Sequence, residues 1–600
     1  MRRKVVAVLF AFCIVNANAS VQKVSRFGQY SGYSEPVYDG WKLTSEYITV
    51  RDGTKLAADI YRPTKNGVLH TKPLPVIWMH DRYQRRWNIT KLDSCLSLRR
   101  LNHYGYIIAD VDARGTGASF GSQPYFFSED EILDVCDTTE WLASQPYCDG
   151  NVGMTGGSYF AIMQYFAAGI NPPHLKAVFP LAAVFDFYSF MYEGGIYRND
   201  FMKNWQRILK YFDIELQPVP VDDDPNGRLL KEAVRQHQAN RDVFELFSAL
   251  PYRNSIDSTT NKMLYFDVSP CSMLSQIRKS RVAIYHWGGW FDIFTRDTIL
   301  WYVNLDNPQK ITMGPWSHCE IYSDLTGIEQ LRWFDYWLKG IDNGIMDELP
   351  IHYIPLTASN ANQACSARYW PPLKQKPRGY YFHAGPSHSI SSKNDGILTK
   401  SPPLQKSAFD PYTVDYTTSS GKPSRWSNGY GDGNGHGKFK YHDMSSNDAN
   451  GLTYTTEPLT CDTDVTGHPI VHLWISSDSN DADFFVYLEE IDSNGLSNYV
   501  TEGCLRASLR STSKPKENYL SLPYHRCFKE DVQKLPPEKP VELIFDMQPT
   551  SNIFDEGHRI RVTITCADKG NYLTPQITPP PHVKIYRDAE HPSRIVLPVD

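Results

Sequence analysis

Short apolar runs bounded by turns or polar residues recur through the first half of the chain, at 74–80, 106–112, 176–182, 281–287 and 309–313. Runs of this length predict strands buried on both faces of a mostly parallel sheet. Helical stretches fall between them, such as 131–145, and 162–168 is a further apolar helix. Strands alternating with helices specify an α/β domain.

About a hundred residues without a strand pattern separate the runs at 176–182 and 281–287. They begin with Phe187, Tyr188, Phe190, Met191, Tyr192, Tyr197, Phe201 and Trp205 and continue as amphipathic helical stretches. An insertion here reads as a helical cap, and its aromatics are expected mainly to fill the cap's own core. After residue 355 the pattern changes. Ile560, Val562, Ile564 and Cys566 alternate with Arg559, Arg561, Thr563 and Thr565, which predicts a half-buried strand. Strand-like runs at 468–477, 483–490 and 541–547 lie between turns rich in Pro, Asn, Ser and Gly, the pattern of a β-sandwich.

The divisions are thus a leader at 1–19, an α/β domain in two parts (20–186 and 276–355), a cap at 187–275 and a sandwich at 356–600. Arg2-Arg3-Lys4, the apolar Val5–Val15 and the small-residue pattern Ala17-Asn18-Ala19 are those of a cleaved signal peptide. The expected product is an exported protein, periplasmic or secreted, beginning near Ser20. No run approaches the roughly 20 apolar residues of a membrane span, so no stable membrane insertion is expected. A net charge of −6 without a dense Lys/Arg run argues against nucleic acid. Nothing in the pattern specifies an oligomeric state.

Ten of the eleven cysteines follow the leader. Cys136 with Cys148, Cys504 with Cys527 and Cys271 with Cys319 are candidate disulfides, and buried apolar thiols are the equal alternative. No ligand spacing for a metal is present. The Gly-rich 426–437, with Asp432 and Asn434, reads as a surface loop rather than a calcium loop, because no carboxylate follows at the required spacing. Asn88-Ile89-Thr90 is a glycosylation sequon.

The chemistry concentrates in three segments. Gly153-Met154-Thr155-Gly156-Gly157-Ser158-Tyr159-Phe160-Ala161 places a serine between a predicted strand and a helix, the pattern of a nucleophile elbow. Trp287-Gly288-Gly289-Trp290-Phe291-Asp292 and Gly314-Pro315-Trp316-Ser317-His318 follow, each just after a strand. Their order is Ser, Asp, His, as in α/β-hydrolases. Ser158 needs a base, His318 can act as that base, and Asp292 can hold its tautomer. The backbone N–H of Tyr159 would be one oxyanion donor.

These segments resemble the cocaine esterase and X-prolyl dipeptidyl peptidase family, which includes the α-amino acid ester hydrolases. Arg51-Asp52-Gly53-Thr54-Lys55-Leu56-Ala57, Asp112-Ala113-Arg114-Gly115-Thr116-Gly117, Phe334-Asp335-Tyr336-Trp337-Leu338-Lys339-Gly340 and Pro549-Thr550-Ser551-Asn552-Ile553-Phe554 carry the likeness beyond the three functional segments. It covers roughly residues 40–600, least clearly at 187–275. The resemblance implies an α/β-hydrolase domain with an inserted cap, then a jelly roll. It implies hydrolysis of a small ester or short peptide through an acyl-Ser158 intermediate, without metal or organic cofactor. It also implies Tyr83, just after the strand at 74–80, as a second oxyanion donor. Two departures stand out: Ala161 replaces the family's usual Gly, and Ile293 and Phe294 stand where the amino acid ester hydrolases carry acidic residues. Simple acyl esters are therefore expected to be better substrates than X-Pro peptides. Glu193, Trp287 and Trp290 are the candidate substrate contacts. The enzymatic alternative is a dipeptidyl peptidase or α-amino acid ester hydrolase. The non-enzymatic one is a jelly-roll binding module with a vestigial hydrolase domain.

Overall fold

The computed structural model describes residues 22–86, 90–318, 320–357, 363–422, 424–427 and 442–600. The leader, Asn88 and Ile89 of the sequon, Cys319, Asp432 and Asn434 lie outside the described residues.

The α/β sheet contains β1 (Gly40–Thr49), β2 (Lys55–Lys65), β3 (Leu74–Asp81), β4 (Ile107–Asp112), β5 (Cys148–Gly157), β6 (Leu175–Leu181), β7 (Ala283–Phe291), β8 (Gln309–Ser317), β9 (Ile351–Tyr353) and β10 (Cys365–Ala367). Its order is β10-β9-β8-β7-β6-β5-β3-β4-β2-β1. The strands from β9 to β4 run parallel, while β1 and β2 form an antiparallel hairpin at one edge and β10 closes the other. All five apolar runs read as parallel strands lie within β3, β4, β6, β7 and β8 or within one or two residues of them. Their side chains are almost uniformly buried because helices cover both faces.

Helix α1 (Glu129–Ser144) starts where Ser128 caps the N–H of Glu131, with Glu129, Asp130 and Glu131 complementing the dipole in its first turn. Helix α2 (Tyr159–Ile170) follows β5 directly and ends at Asn171 in the left-handed region before two prolines. The cap includes α3 (Asn199–Lys210), continued by a π-helical turn at Tyr211–Glu215. It also holds a small hairpin, Tyr192–Glu193 paired with Ile196–Tyr197, which the sequence pattern does not announce because two-residue strands have no periodicity. Helices α4 (Thr295–Asn304) and α5 (Asp324–Lys339) follow β7 and β8.

The C-terminal half is a β-sandwich around a core that includes Phe382, Leu473, Val486, Phe545, Val562 and Leu597. Three details depart from expectation. The strand Arg559–Thr565 is not half-buried: Arg561, Thr563 and Thr565 are as enclosed as their apolar neighbours. Arg561 pairs with Asp448 at 2.9 Å and Thr563 bonds Glu489 at 2.8 Å, so the polar face meets other polar groups under cover. The boundary near 355 is also interleaved, because Leu356–Thr357 pairs with a sandwich strand while β10, further along the chain, returns to the α/β sheet. Lastly, the nine cysteines among the described residues are all free thiols, including Cys136, Cys148, Cys271, Cys504 and Cys527. Cys504 donates instead to the carbonyl of Glu193 at 3.5 Å. No helix among the described residues is long and apolar enough to cross a membrane.

Candidate active site

Ser158 occupies the turn between β5 and α2 with φ 59° and ψ −123°. A non-glycine residue in that region is strained and persists only where its surroundings hold it. Its N–H donates to the carbonyls of Leu181 (2.9 Å) and Ala182 (3.1 Å), which pins the turn to the end of β6. The two preceding glycines make the turn possible. Gly156 has φ 122°, and a Cβ there would lie 2.7 Å from the Cβ of Phe160. A Cβ on Gly157 would lie 2.7 Å from the Tyr322 hydroxyl, which accepts the Gly157 N–H at 2.6 Å. Ala161 is fully buried.

Asp292 follows the end of β7 and is fully enclosed. Its Oδ1 accepts the N–H of Phe294 at 2.6 Å, and its Oδ2 faces Nδ1 of His318 at 2.8 Å. An imidazole held in this way donates from Nδ1 and keeps Nε2 for proton exchange. His318 follows the end of β8, and the ring of Phe294 packs edge-on against it at 5.6 Å. Phe294 also lines the pocket that contains Ser158.

Tyr83 and Ser158 line the same pocket. The Tyr83 oxygen accepts the indole N–H of Trp205, on α3, at 3.2 Å. Burial pushes the phenol pKa up, against the opposing influence of the Trp205 N–H and the Arg82 charge, so the hydroxyl stays protonated and able to donate. The loop carrying Tyr83 is clamped at both ends. Asp81 Oδ1 accepts the Tyr83 N–H at 2.6 Å, Arg82 pairs with Asp213 of the π-helical turn, and Gln84 Nε2 donates to the carbonyl of Phe212 at 2.6 Å. Tyr159 is the first residue of α2, where no preceding helical carbonyl is available to its N–H. Its phenol donates to buried Glu131 at 2.7 Å, which fixes the residue from beneath.

Ser158, Tyr83, Tyr159, Ile162, Phe187, Phe190, Phe201, Trp205, Ile293, Phe294 and Phe127 line one pocket, so the cap aromatics serve the site as well as their own core. The three expected substrate contacts sit elsewhere. Trp287 is fully buried in β7 and stacks on Trp316 at 5.0 Å. Trp290 is likewise buried, stacking on Trp370 at 5.9 Å and donating to the carbonyl of Ile354 at 2.8 Å. Glu193 is enclosed between the cap and the sandwich. It pairs with Arg198, lies 3.5 Å from Arg296, and accepts from Gln548 (2.6 Å) and Tyr572 (2.8 Å). Burial opposes its ionisation, but the two guanidiniums and the Tyr572 hydroxyl hold its pKa below the usual carboxylate range. A carboxylate so engaged has no vacancy for a substrate ammonium. Gln548 and Tyr572 are more than 350 residues away in sequence, and no local signal marks them as its partners.

Residues 52–320 match the X-Pro dipeptidyl-peptidase (S15) family, and residues 343–596 match the X-Pro dipeptidyl-peptidase C-terminal non-catalytic domain. A Mycobacterium bovis protein named "Putative serine esterase" is 33% identical across 95% of this chain and 97% of its own length. The cocaine esterase of a Rhodococcus species is 25% identical across 92% of this chain and 97% of that protein. Among solved structures, an α-amino acid ester hydrolase superposes with a TM-score of 0.71 at 18% identity, covering 98% of this chain and 100% of that one. A CocE/NonD family hydrolase from Staphylococcus aureus gives 0.70 at 19% identity, covering 93% of each chain. These likenesses set aside the binding-module alternative. With both domains of the pair matched, and a relative one-third identical along nearly the whole length, the chain belongs to the S15 family of serine hydrolases.

Proposed function

We propose that the protein is an exported acyl esterase that works through an acyl-Ser158 intermediate. Ser158 Oγ attacks the ester carbonyl while His318 Nε2 takes its proton, and Asp292 steadies the imidazolium. The carbonyl oxygen, now an oxyanion, receives hydrogen bonds from the Tyr83 hydroxyl and the Tyr159 N–H. Collapse of this intermediate breaks the bond to the alcohol, which leaves with the proton from His318. Water, deprotonated by the same imidazole, then attacks the acyl-enzyme and releases the acid. Export rests on the leader pattern at residues 1–19.

The observation that carries the preference for esters over X-Pro peptides is the wall of the Ser158 pocket, where none of the described lining residues is a carboxylate. An N-terminal ammonium buried there would be unpaired, at a cost of several kcal/mol. The peptidase reading keeps the support of a relative named "Putative Xaa-Pro dipeptidyl-peptidase" from Bacillus anthracis, 23% identical over 83% of this chain. Labelling with a fluorophosphonate tests for an activated Ser158. A panel of p-nitrophenyl esters against X-Pro-nitroanilides then separates the two readings, and faster cleavage of the nitroanilides would reverse our preference. N-terminal sequencing of the exported protein tests the leader, with Ser20 as the expected first residue.

A further inference from the structure

The described residues lining the Ser158 pocket do not include Lys91, yet its charge stands directly behind the oxyanion tyrosine. We propose that Lys91 is a positioning residue for Tyr83: its ammonium fixes the Asp81 carboxylate, and Asp81 fixes the backbone of Tyr83. This rests on the acyl-serine reading above, in which the Tyr83 hydroxyl donates to the oxyanion.

Asp81 ends β3, and its side chain is fully enclosed. Its two carboxylate oxygens serve different partners. Oδ1 accepts the Tyr83 N–H at 2.6 Å, and Oδ2 accepts from Nζ of Lys91 at 2.6 Å. Both contacts are short, as expected where the acceptor, and in the second the donor too, is charged. Lys91 opens the helical turn Lys91–Ser94 and is the only ion-pair partner of Asp81 among the described residues. The same ammonium lies 3.3 Å from Asp110, on β4. Burial raises the Asp110 pKa well above the carboxylate range, with Lys91 opposing the shift and Asp81 assisting it. Asp110 therefore holds a proton and leaves Asp81 as the anion that Lys91 neutralises.

A second contact reaches the ring of the same tyrosine. Nζ of Lys91 stands 5.6 Å from the ring centroid of Phe160, and Phe160 packs edge-on against Tyr83 at 5.9 Å. Lys91 thus supports Tyr83 both through its N–H and through its ring. The cap grips the neighbouring residues, Arg82 through Asp213 and Gln84 through the Phe212 carbonyl, whereas the Tyr83 N–H is bonded to Asp81. An uncharged side chain at 91 would leave the Asp81 carboxylate buried without a cation. Such a group takes up a proton or draws in water, and in either state it is a weaker acceptor for the Tyr83 N–H. The phenol then loses its aim, and a misplacement of about 1 Å can cost on the order of 10²-fold in rate.

The test is steady-state hydrolysis of p-nitrophenyl acetate by Lys91→Met, Lys91→Arg, Tyr83→Phe and the Lys91→Met, Tyr83→Phe double variant, with thermal unfolding of each. Lys91→Met should lower kcat about 10–10²-fold and leave KM nearly unchanged, since it disturbs orientation and not the pocket wall. Lys91→Arg keeps the cation and should recover most of that loss. In the Tyr83→Phe background Lys91→Met should cost nothing further, because both changes act through one hydroxyl. An unchanged kcat, an equal loss with and without the Tyr83 hydroxyl, an effect confined to KM, or an arginine variant as slow as the methionine one would each overturn the proposal while leaving the esterase reading intact. If Lys91→Met does not fold, Asp81→Asn replaces it, with the same kcat loss expected and the same dependence on the Tyr83 hydroxyl. Wild-type turnover by Tyr83→Phe would remove the oxyanion role and this proposal together. Absence of both ester cleavage and fluorophosphonate labelling in the wild type would instead overturn the esterase reading, and the proposal with it.

Discussion

The indole N–H of Trp205 donates to the hydroxyl oxygen of Tyr83 at 3.2 Å, tying a helix of the cap to a loop of the α/β domain directly beside Ser158. An N–H on one side of a phenol oxygen occupies a lone pair and leaves the O–H proton to point elsewhere. In the proposed mechanism that direction is toward the developing oxyanion. Tyr83→Phe should therefore lower kcat by about 10²–10³-fold. Trp205→Phe, which keeps the ring, should lower kcat by a smaller factor. Its effect should disappear in a Tyr83→Phe background, because neighbours acting through one hydrogen bond are not additive. Equal losses in both backgrounds, or a change confined to KM, would show that Trp205 only lines the pocket.

Ser158→Ala removes a hydroxyl from a strained turn that is held by backbone bonds to Leu181 and Ala182, so the fold should survive the change. Ester hydrolysis should drop to the residual of roughly 10³–10⁴-fold over water that binding and the oxyanion donors sustain. His318→Ala should behave alike, and a double variant should be no worse than either single one. Near-wild-type turnover in either single variant, with thermal unfolding unchanged, would remove these residues from the mechanism.

The parts legible in the sequence share one property, a short-range signal. Ser158, Asp292 and His318 each stand at the C-terminal end of a recognisable strand, so strand order alone predicted their approach, and the structure brings Asp292 to 2.8 Å from His318. Tyr83 came from the family resemblance rather than from strand order, and the structure places it just after β3 on the wall of the Ser158 pocket. What pattern did not carry was the burial of polar groups by distant chain. Arg561 and Thr563 have the look of a solvent face, yet Asp448 and Glu489 arrive to cover them. Trp287 and Trp290 lie near the aspartate in sequence, but β-strand geometry turns both side chains into packed cores. The pocket wall was half legible: Phe187, Phe190, Phe201 and Trp205 stood out as cap aromatics, but which of them face Ser158 depends on how the cap seats.

Acid should destabilise the protein through His286. Burial between Tyr165, at 2.6 Å, and Gln309, at 2.9 Å, lowers its pKa from 6.5 to about 3, with the Gln309 bond opposing the fall. The unfolded chain then binds a proton near pH 6.5 that the folded protein refuses. Stability from this group is complete above pH 6.5 and declines as pH falls toward 3, by about 2 kcal/mol at pH 5. Urea unfolding of wild type and His286→Gln at pH 5 and pH 7.5 measures it. The variant should lose less stability than wild type over that interval, and equal losses would exclude His286 as a source.

Glu193 separates a structural carboxylate from a substrate-binding one. Removing its charge by Glu193→Gln leaves Arg198 and Arg296 facing a neutral amide in a buried site between cap and sandwich. Breaking a buried pair in this way costs about 3–5 kcal/mol, because the remaining charges stay desolvated. The expected result is a clear fall in unfolding temperature and in the urea midpoint. The ratio of kcat/KM for matched substrates with free and acetylated amino termini should not change in the folded enzyme, since Glu193 is already bonded to Arg198, Gln548 and Tyr572. If wild type strongly prefers the free amine and Glu193→Gln abolishes that preference at unchanged stability, the carboxylate reaches the substrate, and the peptidase reading becomes the better one.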